Sequence, residues 1–143
     1  MDIICDTSFL MVLCYEPIKN MDFLDSKFGK TTLLIHSSII KELTQIKYTG
    51  KIKRSNIANL ALEIINKETE SKNFKYIEDN KVHQNLLYNV DSHLLSLSLQ
   101  KKCPLATIDK NLMKRALKKG TDIITLKNNK IIYVHSNIRS EQI

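Results

Sequence analysis

The sequence LATIDKNL, residues 105–112, passes from apolar to charged residues within a few positions. Residues 105–108 have the composition of a short buried strand, and residues 110–119 have that of a helix. Asp109 would then lie at the carboxyl end of the strand, where open α/β sheets place their chemistry. Its carboxylate is therefore either the cap of the following helix or a ligand in a site.

Strand patterns and helical patterns alternate along the rest of the chain. We predict strands at residues 2–5, 31–35, 74–77, 104–108, 122–126 and 131–134, and helices at residues 8–15, 17–28, 37–48, 51–71, 91–102 and 110–119. This alternation predicts right-handed crossovers, and hence an α/β fold with a mostly parallel central sheet and helices on both faces. The residues KNNK, 127–130, are typical of a hairpin turn that leads into an edge strand.

Several helix ends and faces carry recognisable signals. Pro17 is expected to open the second helix, and Gly29 to close it. Ser37 or Ser38 can cap the third helix. Gly120 is expected to stop the basic helix. The fourth helix places one apolar stripe toward the core, made of Ile57, Leu60, Ala61, Ile64 and Ile65.

The chain of 143 residues suits one domain with a core of its own. We expect residues 1–135 to form that domain and residues 136–143 to be a flexible tail. No apolar run reaches the roughly 18 residues that a membrane helix needs. The first residues are apolar but lack a basic leader and a cleavage site. We therefore expect a cytoplasmic protein that has no membrane partner.

The cysteines and histidines are scattered without metal-binding spacing. The cysteines lie in apolar stretches and are expected to be reduced core thiols; they are Cys5, Cys14 and Cys103. The histidines are expected to be surface or hydrogen-bonded residues; they are His36, His83, His93 and His135.

The net charge of +7 and the pI near 9.3 predict an anionic partner, either a nucleic acid or an anionic membrane surface, or simply a well-solvated surface. One helix carries a basic strip formed by Lys110, Lys114, Arg115, Lys118 and Lys119, and a second basic group contains Lys47, Lys51, Lys53 and Arg54. Such strips grip phosphates without reading bases. The five tyrosines are spread along the chain, so no stacking platform is evident.

Asp6 and Asp109 follow predicted strands, Asp91 begins a predicted helix, and Glu42 lies one turn into the helix after the second strand. Taken singly, each aspartate can be a helix cap, and Glu42 can face water. Asp6 and Asp109 would leave neighbouring strand ends at one sheet edge, with the two helical acids leaning over it. Two carboxylates 4 Å apart repel by about 4 kcal/mol at an effective dielectric of about 20. A hard divalent cation removes that repulsion, so an all-oxygen cluster favours Mg²⁺ or Mn²⁺.

These motifs resemble those of the PIN-domain nucleases. ICDTSFLM looks like the first strand and acidic loop of that family, and SSIIKEL looks like its helix bearing Glu. VDSHLLSLSLQKKCPLATIDKNL looks like its Asp, helix, strand and Thr-x-Asp signature. ATIDKNL, followed by a basic helix, Gly120 and a strand, is close to the branch associated with ribosomal RNA processing. The resemblance implies a three-layer PIN-like fold over nearly the whole chain.

Carried over by motif, the resemblance implies metal ligation and catalysis by Asp6, Glu42, Asp91 and Asp109. It implies that Thr7, Ser8 and Thr107 contact those ligands or the phosphate, although Ser8 and Thr107 can equally be ordinary cap and strand residues. Relatives often have a second acid where this chain has Ser92, and that departure weakens a second metal site. Asp122 begins a strand, so it should lie at the opposite sheet edge.

The first hypothesis is a metal-dependent endoribonuclease that hydrolyses RNA phosphodiester bonds, with Lys110, Lys114, Arg115 and Lys118 binding the RNA. It would act in ribosomal RNA processing, with ribosome-assembly partners, or as a toxin restrained by an antitoxin. The second hypothesis, motivated by Ser92, is a non-catalytic RNA-binding or assembly module. A phosphatase is a weaker candidate, because the loop after the first strand lacks a second acid. The resemblance also makes a homodimer an open alternative to a monomer.

Overall fold

The computed structural model describes residues 1–78 and 89–137. Within these residues the strands are β1 (Asp2–Cys5), β2 (Thr32–His36), β3 (Phe74–Ile77), β4 (Leu105–Ala106), β5 (Ile123–Lys127) and β6 (Lys130–Val134). The helices are α1 (Thr7–Tyr15), α2 (Phe23–Phe28), α3 (Ser37–Thr49), α4 (Ile52–Glu70), α5 (Val90–Lys101) and α6 (Lys110–Lys118). The predicted alternation of strands and helices is confirmed.

The six strands form one sheet in the order β3-β2-β1-β4-β5-β6. Neighbouring strands run parallel from β3 to β5, and β6 runs antiparallel to β5. The sheet is therefore mostly parallel, as predicted. Its order reverses direction beside β1, because the chain goes from β1 outward to β3 before it returns to β4. Such switch points are where open α/β sheets bind ligands.

The central strands β1 and β4 are buried apart from Asp2, the first residue of β1. Ile3, Ile4 and Cys5 of β1 and Leu105 and Ala106 of β4 have 0% exposure. Because successive side chains of a strand point to opposite faces, continuous burial requires cover on both faces of the sheet. The predicted helical layers on both faces are confirmed.

No helix among residues 1–78 and 89–137 is both long enough and apolar enough to cross a bilayer. All three cysteines lie in the described residues as free thiols, with Cys5 buried and the other two half-buried. This agrees with the prediction of reduced core thiols.

The prediction that Pro17 opens the second helix is wrong. α2 begins at Phe23, and the residues before it interact with the hairpin instead. The Asn20 side chain accepts a hydrogen bond from the backbone N–H of Ile131 at 2.7 Å and donates to its carbonyl at 3.0 Å. The N–H of Lys19 donates to the Asn129 carbonyl at 2.8 Å. These long-range bonds take the place of the local bonds of a helical turn.

The cap of α3 is His36, and not Ser37 or Ser38. Its Nδ1 accepts a hydrogen bond from the Ser38 N–H at 3.1 Å. His36 is fully buried, and its ring meets the His93 ring edge-on with centroids 4.8 Å apart. His36 is the last residue of β2, so α3 begins directly after the strand and His36 takes the cap position. Serine is the more usual residue at this position.

One predicted face and one predicted boundary also differ from the structure. Leu60, expected on the buried stripe of α4, is 37% exposed, and Ala58 is fully buried in its place. The ladder of β4 covers two residues of the predicted residues 104–108. The predicted tail, residues 136–143, lies mostly outside the described residues. The N–H of Ser136 at its start donates to Asp122 Oδ1 at 2.8 Å.

The β5–β6 turn gives a test of the local backbone. Asn128 and Asn129 have φ angles of 53° and 60°, the left-handed conformation of a two-residue hairpin turn. Asn129→Val should lower the free energy of unfolding by about 1–2 kcal/mol, because a β-branched residue is strained in this region. Asn129→Gly should hold or raise it. Urea unfolding followed by circular dichroism measures both, and equal stability of the two variants would contradict this assignment of strain.

Candidate active site

The parallel pairing of β1 with β4 brings two acids to one sheet edge. Cys5 pairs with Ala106, and the N–H of Asp6 donates to the Ala106 carbonyl at 3.0 Å. Asp6 directly follows β1, and Asp109 follows β4 by three residues. Both therefore leave carboxyl ends of adjacent parallel strands, as the sequence predicted.

A cleft of about 180 Å³ lies at this edge. It is lined by all four predicted acids, Asp6, Glu42, Asp91 and Asp109, together with Thr7, Ser8, Ile39, Val90 and Arg54. Glu42 arrives from α3, and Asp91 arrives from the first turn of α5. The structure thus brings together side chains from four separate parts of the chain around one small volume.

Asp6 is buried and accepts three hydrogen bonds. Its Oδ1 accepts from the Phe9 N–H at 2.8 Å and from the Ser8 hydroxyl at 3.0 Å, and its Oδ2 accepts from the Thr107 hydroxyl. The bond to Phe9 makes Asp6 the N-cap of α1. Asp6 is therefore a helix cap and a member of the cleft at the same time.

The three predicted polar residues all bond to acids or their neighbours. Besides its bond to Asp6, the Thr107 hydroxyl accepts from the Asp109 N–H at 3.0 Å, so one side chain connects two of the acids. The Thr7 hydroxyl donates to Glu42 Oε2 at 2.8 Å. This bond holds the half-buried Glu42 toward the cleft rather than toward water.

Asp109 and Asp91 differ in their local roles. Asp109 is the N-cap of α6, and its Oδ1 accepts from the N–H groups of Asn111 at 2.9 Å and Leu112 at 3.2 Å. Asp91 is not a cap, because Asn89 fills that position and accepts from the Ser92 N–H at 3.1 Å. The capping alternative for Asp91 is therefore wrong.

The electrostatics of the cleft disfavour its negative charge. Burial raises the pKa of Asp6, and the charge of Asp91 adds to that effect, while hydrogen bonds from Thr107, Phe9 and Ser8 oppose it. Burial likewise raises the pKa of Asp91, as does the charge of Asp109, and Arg115 opposes the rise. The acids are close enough to influence one another's ionisation.

The donor chemistry of the cleft suits a hard cation, but its present arrangement is not a closed ligand set. All four acids offer carboxylate oxygens, the ligands that Mg²⁺ and Mn²⁺ prefer. Across residues 1–78 and 89–137, however, no three His, Cys, Asp or Glu side chains are arranged to hold a metal ion. Asp6 and Glu42 instead accept hydrogen bonds from neighbouring hydroxyl groups. The residues fit the cation in chemical type, while sharing of one ion requires side-chain adjustment.

Two arginines stand beside the acids. Arg54, from the first turn of α4, lines the cleft itself. Arg115 of α6 donates from Nη2 to the Ser92 hydroxyl at 2.7 Å. Arg54 was noted in the sequence only as part of a basic group, because no local pattern indicates that α4 reaches the acids. Lys110, Lys114 and Lys118 are exposed on α6.

Asp122 lies apart from the cleft. It accepts from the Tyr133 hydroxyl at 2.6 Å, and its carbonyl accepts from the Leu105 N–H at 3.0 Å, at the start of β4. Its carboxylate is 3.7 Å from His135 Nδ1. It therefore sits at the opposite sheet edge, as predicted. His83 lies outside the described residues.

The fold and the cleft agree with a match to a known family. The family model described as a PIN like domain matches residues 3–129, which is most of the chain. The chain belongs to the PIN-like domain family. The resemblance predicted from the motifs is confirmed.

Two solved structures are similar to this chain. The structure titled as that of the PIN domain endonuclease Utp24 has a TM-score of 0.65 at 19% identity, and the match covers 96% of each chain. A domain of a functionally unknown protein from Methanocaldococcus jannaschii DSM 2661 has a TM-score of 0.62 at 14% identity, with 88% of this chain and 91% of that chain covered. No curated protein sequence matches the chain significantly. At these identities the likeness concerns the fold.

The raised pKa of Asp6 predicts how its variants unfold without added metal. Because burial disfavours the carboxylate form of Asp6 and leaves a neutral amide unaffected, Asp6→Asn should melt at or above the wild-type temperature at neutral pH. The Asn side chain can still cap α1. Asp6→Ala removes the cap and should be less stable than Asp6→Asn by about 1 kcal/mol. Thermal unfolding in EDTA, followed by circular dichroism, measures the difference.

The pH dependence of this effect has a defined sign. An acid whose pKa is raised on folding stabilises the protein below its unfolded pKa, and that contribution is lost as the pH rises through the folded value. The advantage of Asp6→Asn should therefore be absent below the ordinary value of 3.8 and present at neutral pH. A wild type that melts above Asp6→Asn at neutral pH would contradict the argument.

Proposed function

We propose that this protein is a metal-dependent endoribonuclease that hydrolyses RNA phosphodiester bonds. The observation that carries the proposal is the single cleft lined by Asp6, Glu42, Asp91 and Asp109 at the switch point of a PIN-like sheet. A buried cluster of acids is unfavourable by itself, so its presence suits a function that needs a cation there. The similar structure whose title calls it an endonuclease supports the proposal.

In this proposal Asp6, Glu42, Asp91 and Asp109 hold Mg²⁺ or Mn²⁺. A bound divalent cation supplies Lewis-acid chemistry, which makes water a better nucleophile and neutralises charge on the phosphate oxygens. Thr107 and Ser8 orient the carboxylate of Asp6 through their hydrogen bonds, and Thr7 orients Glu42. These hydroxyls keep the carboxylates of Asp6 and Glu42 at the cleft, and the side chains would still adjust there to share one ion.

The substrate is held by cations on two sides of the cleft. Arg54 lines the cleft, where its guanidinium is placed to contact an RNA phosphate. On α6, Lys110, Lys114 and Lys118 recur once per turn, and Arg115 lies close enough to oppose the raised pKa of Asp91. Asp109 lines the cleft and caps the first turn of α6, so the basic residues of α6 extend from the cleft along the helix. An RNA strand gripped there would continue into the site.

We favour ribosomal RNA processing as the biological role, because ATIDKNL and the basic helix after it resemble that branch of the family. Ribosome-assembly factors would then be its partners. The alternative role, with the same hydrolysis of RNA, is a toxin ribonuclease that is restrained by an antitoxin. In either role the protein could be a homodimer. A neighbouring antitoxin gene would favour the toxin.

A second candidate function is a non-catalytic RNA-binding or assembly module. Ser92, where relatives often have an acid, is hydrogen bonded to Arg115 rather than presenting a carboxylate. This bond leaves one fewer ligand for a second cation. The module would bind RNA through the same basic residues without cutting it.

A cleavage assay separates the two candidates. Wild type should cut a labelled RNA in Mn²⁺ or Mg²⁺ and not in EDTA. Asp6→Asn, Glu42→Gln, Asp91→Asn and Asp109→Asn should each lower the rate by about 100-fold or more, because several kcal/mol of transition-state stabilisation depend on the cation. Asp22→Asn changes the same charge at an exposed site on the chain and should cut like wild type. RNA binding by a wild type that never cleaves would favour the module.

The strip on α6 predicts a salt-dependent contact. Lys114→Ala should weaken RNA binding to a similar extent for unrelated sequences, and should reduce the slope of log affinity against log salt by about 0.7–0.9. Lys75→Ala, an exposed change on the edge strand β3, is the matched control and should leave the slope unchanged. Fluorescence anisotropy across a salt series measures both. Equal slopes for all three proteins would argue against α6 as the RNA contact.

A further inference from the structure

A groove of about 480 Å³ adjoins the acid cleft. Ser8 and Arg54 line both the groove and the cleft, so the two are neighbours on the surface. The groove lies between α1, which supplies Tyr15 at its last position, and the beginning of α4. A strand of nucleic acid whose phosphate lies at the acids would therefore extend directly into this groove.

The floor and the rim of the groove differ in chemistry. Its walls include the apolar side chains of Met11, Val12, Ile57 and Ile108. Its lining also includes the exposed cations Lys51, Lys53 and Arg54 and one acid, the half-buried Glu16. The charge of the groove is therefore positive on balance. An apolar floor beside a positive rim suits a ligand with a flat apolar face and a negatively charged edge.

Tyr15 gives the groove an aromatic surface. The residue is 47% exposed, and the Lys53 ammonium lies 5.8 Å from the centre of its ring. The ammonium lies over the ring, so a base that stacks on this face would take the place of the Lys53 ammonium, which is free to move toward the phosphate beside the base. The sequence offered no stacking platform, because Tyr15 and Lys53 are separated by 37 intervening residues and meet only through the packing of α1 on α4.

We propose that this groove binds an unpaired nucleobase of single-stranded RNA, which stacks on Tyr15 next to the phosphate held at the acid cleft. The inference rests on the proposed ribonuclease function and assigns a base-binding subsite beside its acids. Lys51, Lys53 and Arg54 neutralise the phosphates that flank the base. A base inside a duplex has both faces covered by its neighbours, so paired RNA cannot make this contact.

Tyr48 is a matched control. It is 75% exposed, and the Lys47 ammonium lies 5.3 Å from its ring centre. It therefore has the same ring, the same kind of cation partner and at least equal exposure. It does not line the groove. The two tyrosines differ chiefly in position, which is the property that the inference needs to test.

The experiment measures binding of a labelled single-stranded RNA of mixed sequence to the full chain in EDTA, by fluorescence anisotropy. Tyr15→Ala should raise Kd by about fivefold or more, since one base–aromatic stack has at least that effect. Tyr15→Phe should remain within about twofold of wild type, because the stacking face is kept. Tyr15→Leu keeps apolar bulk without the face and should behave like Tyr15→Ala. Tyr48→Ala should bind like wild type, and all variants should bind an RNA duplex equally.

Three results would overturn the inference: Tyr15→Ala binding as wild type does, Tyr15→Ala and Tyr48→Ala weakening equally, or an equal loss on the duplex. Binding of a labelled Glu-rich peptide that depends on Tyr15, with RNA binding unchanged, would assign the groove to a protein and also overturn it. Cleavage in Mn²⁺ is scored separately. A protein that binds through Tyr15 but never cuts refutes the nuclease and leaves the groove assignment standing.

Discussion

The pairing of β1 with β4 is the constraint on which the site depends. It aligns two strand ends so that the Asp6 N–H reaches the Ala106 carbonyl, and it places the Thr107 hydroxyl on the Asp6 carboxylate. Thr107 also accepts from the Asp109 N–H, so the same side chain sets the start of α6. A shift of one residue in this pairing would turn Thr107 to the other face of the sheet and separate the acids. The geometry of the acid cleft is therefore a consequence of register in the core.

The cleft balances unfavourable charge against local hydrogen bonding. Burial and mutual repulsion raise the pKa of Asp6 and Asp91, yet the acids are tolerated because several of them also serve the fold. Asp6 and Asp109 cap helices, and Glu42 accepts from Thr7. Each of these bonds offsets part of the cost of burying a carboxylate. The sequence left open whether Asp6 and Asp109 are helix caps or ligands. The two roles are compatible, because each residue caps a helix and also lines the cleft.

Much of the fold followed from the sequence, because strand composition and helical periodicity are local properties. The six strands, the hairpin at residues 127–130 and the edge on which Asp6 and Asp109 lie were all predictable. The wrong predictions concern features that depend on tertiary contacts. The hairpin binds Asn20, and no helix forms at Pro17. His36, at the end of β2, caps α3 in place of a serine. Asp6, Asp91 and Asp109 are predictable because each adjoins a strand or helix boundary, and Glu42 is predictable because SSIIKEL resembles the family's helix bearing Glu. The place of Arg54 in the cleft is not predictable, because it depends on how α4 packs against α1.

The arrangement of charge explains how a strongly basic protein can hold a phosphate close to four acids. The acids are confined to one small cleft, whereas the cations lie around it on α6 and at the start of α4. In the proposed function, an RNA strand would be attracted by the surroundings and repelled at the centre. A divalent cation at the centre would reverse the local sign there. RNA binding would then depend on the flanking cations, whereas placement of one phosphate against the acids would depend on neutralisation of the cleft.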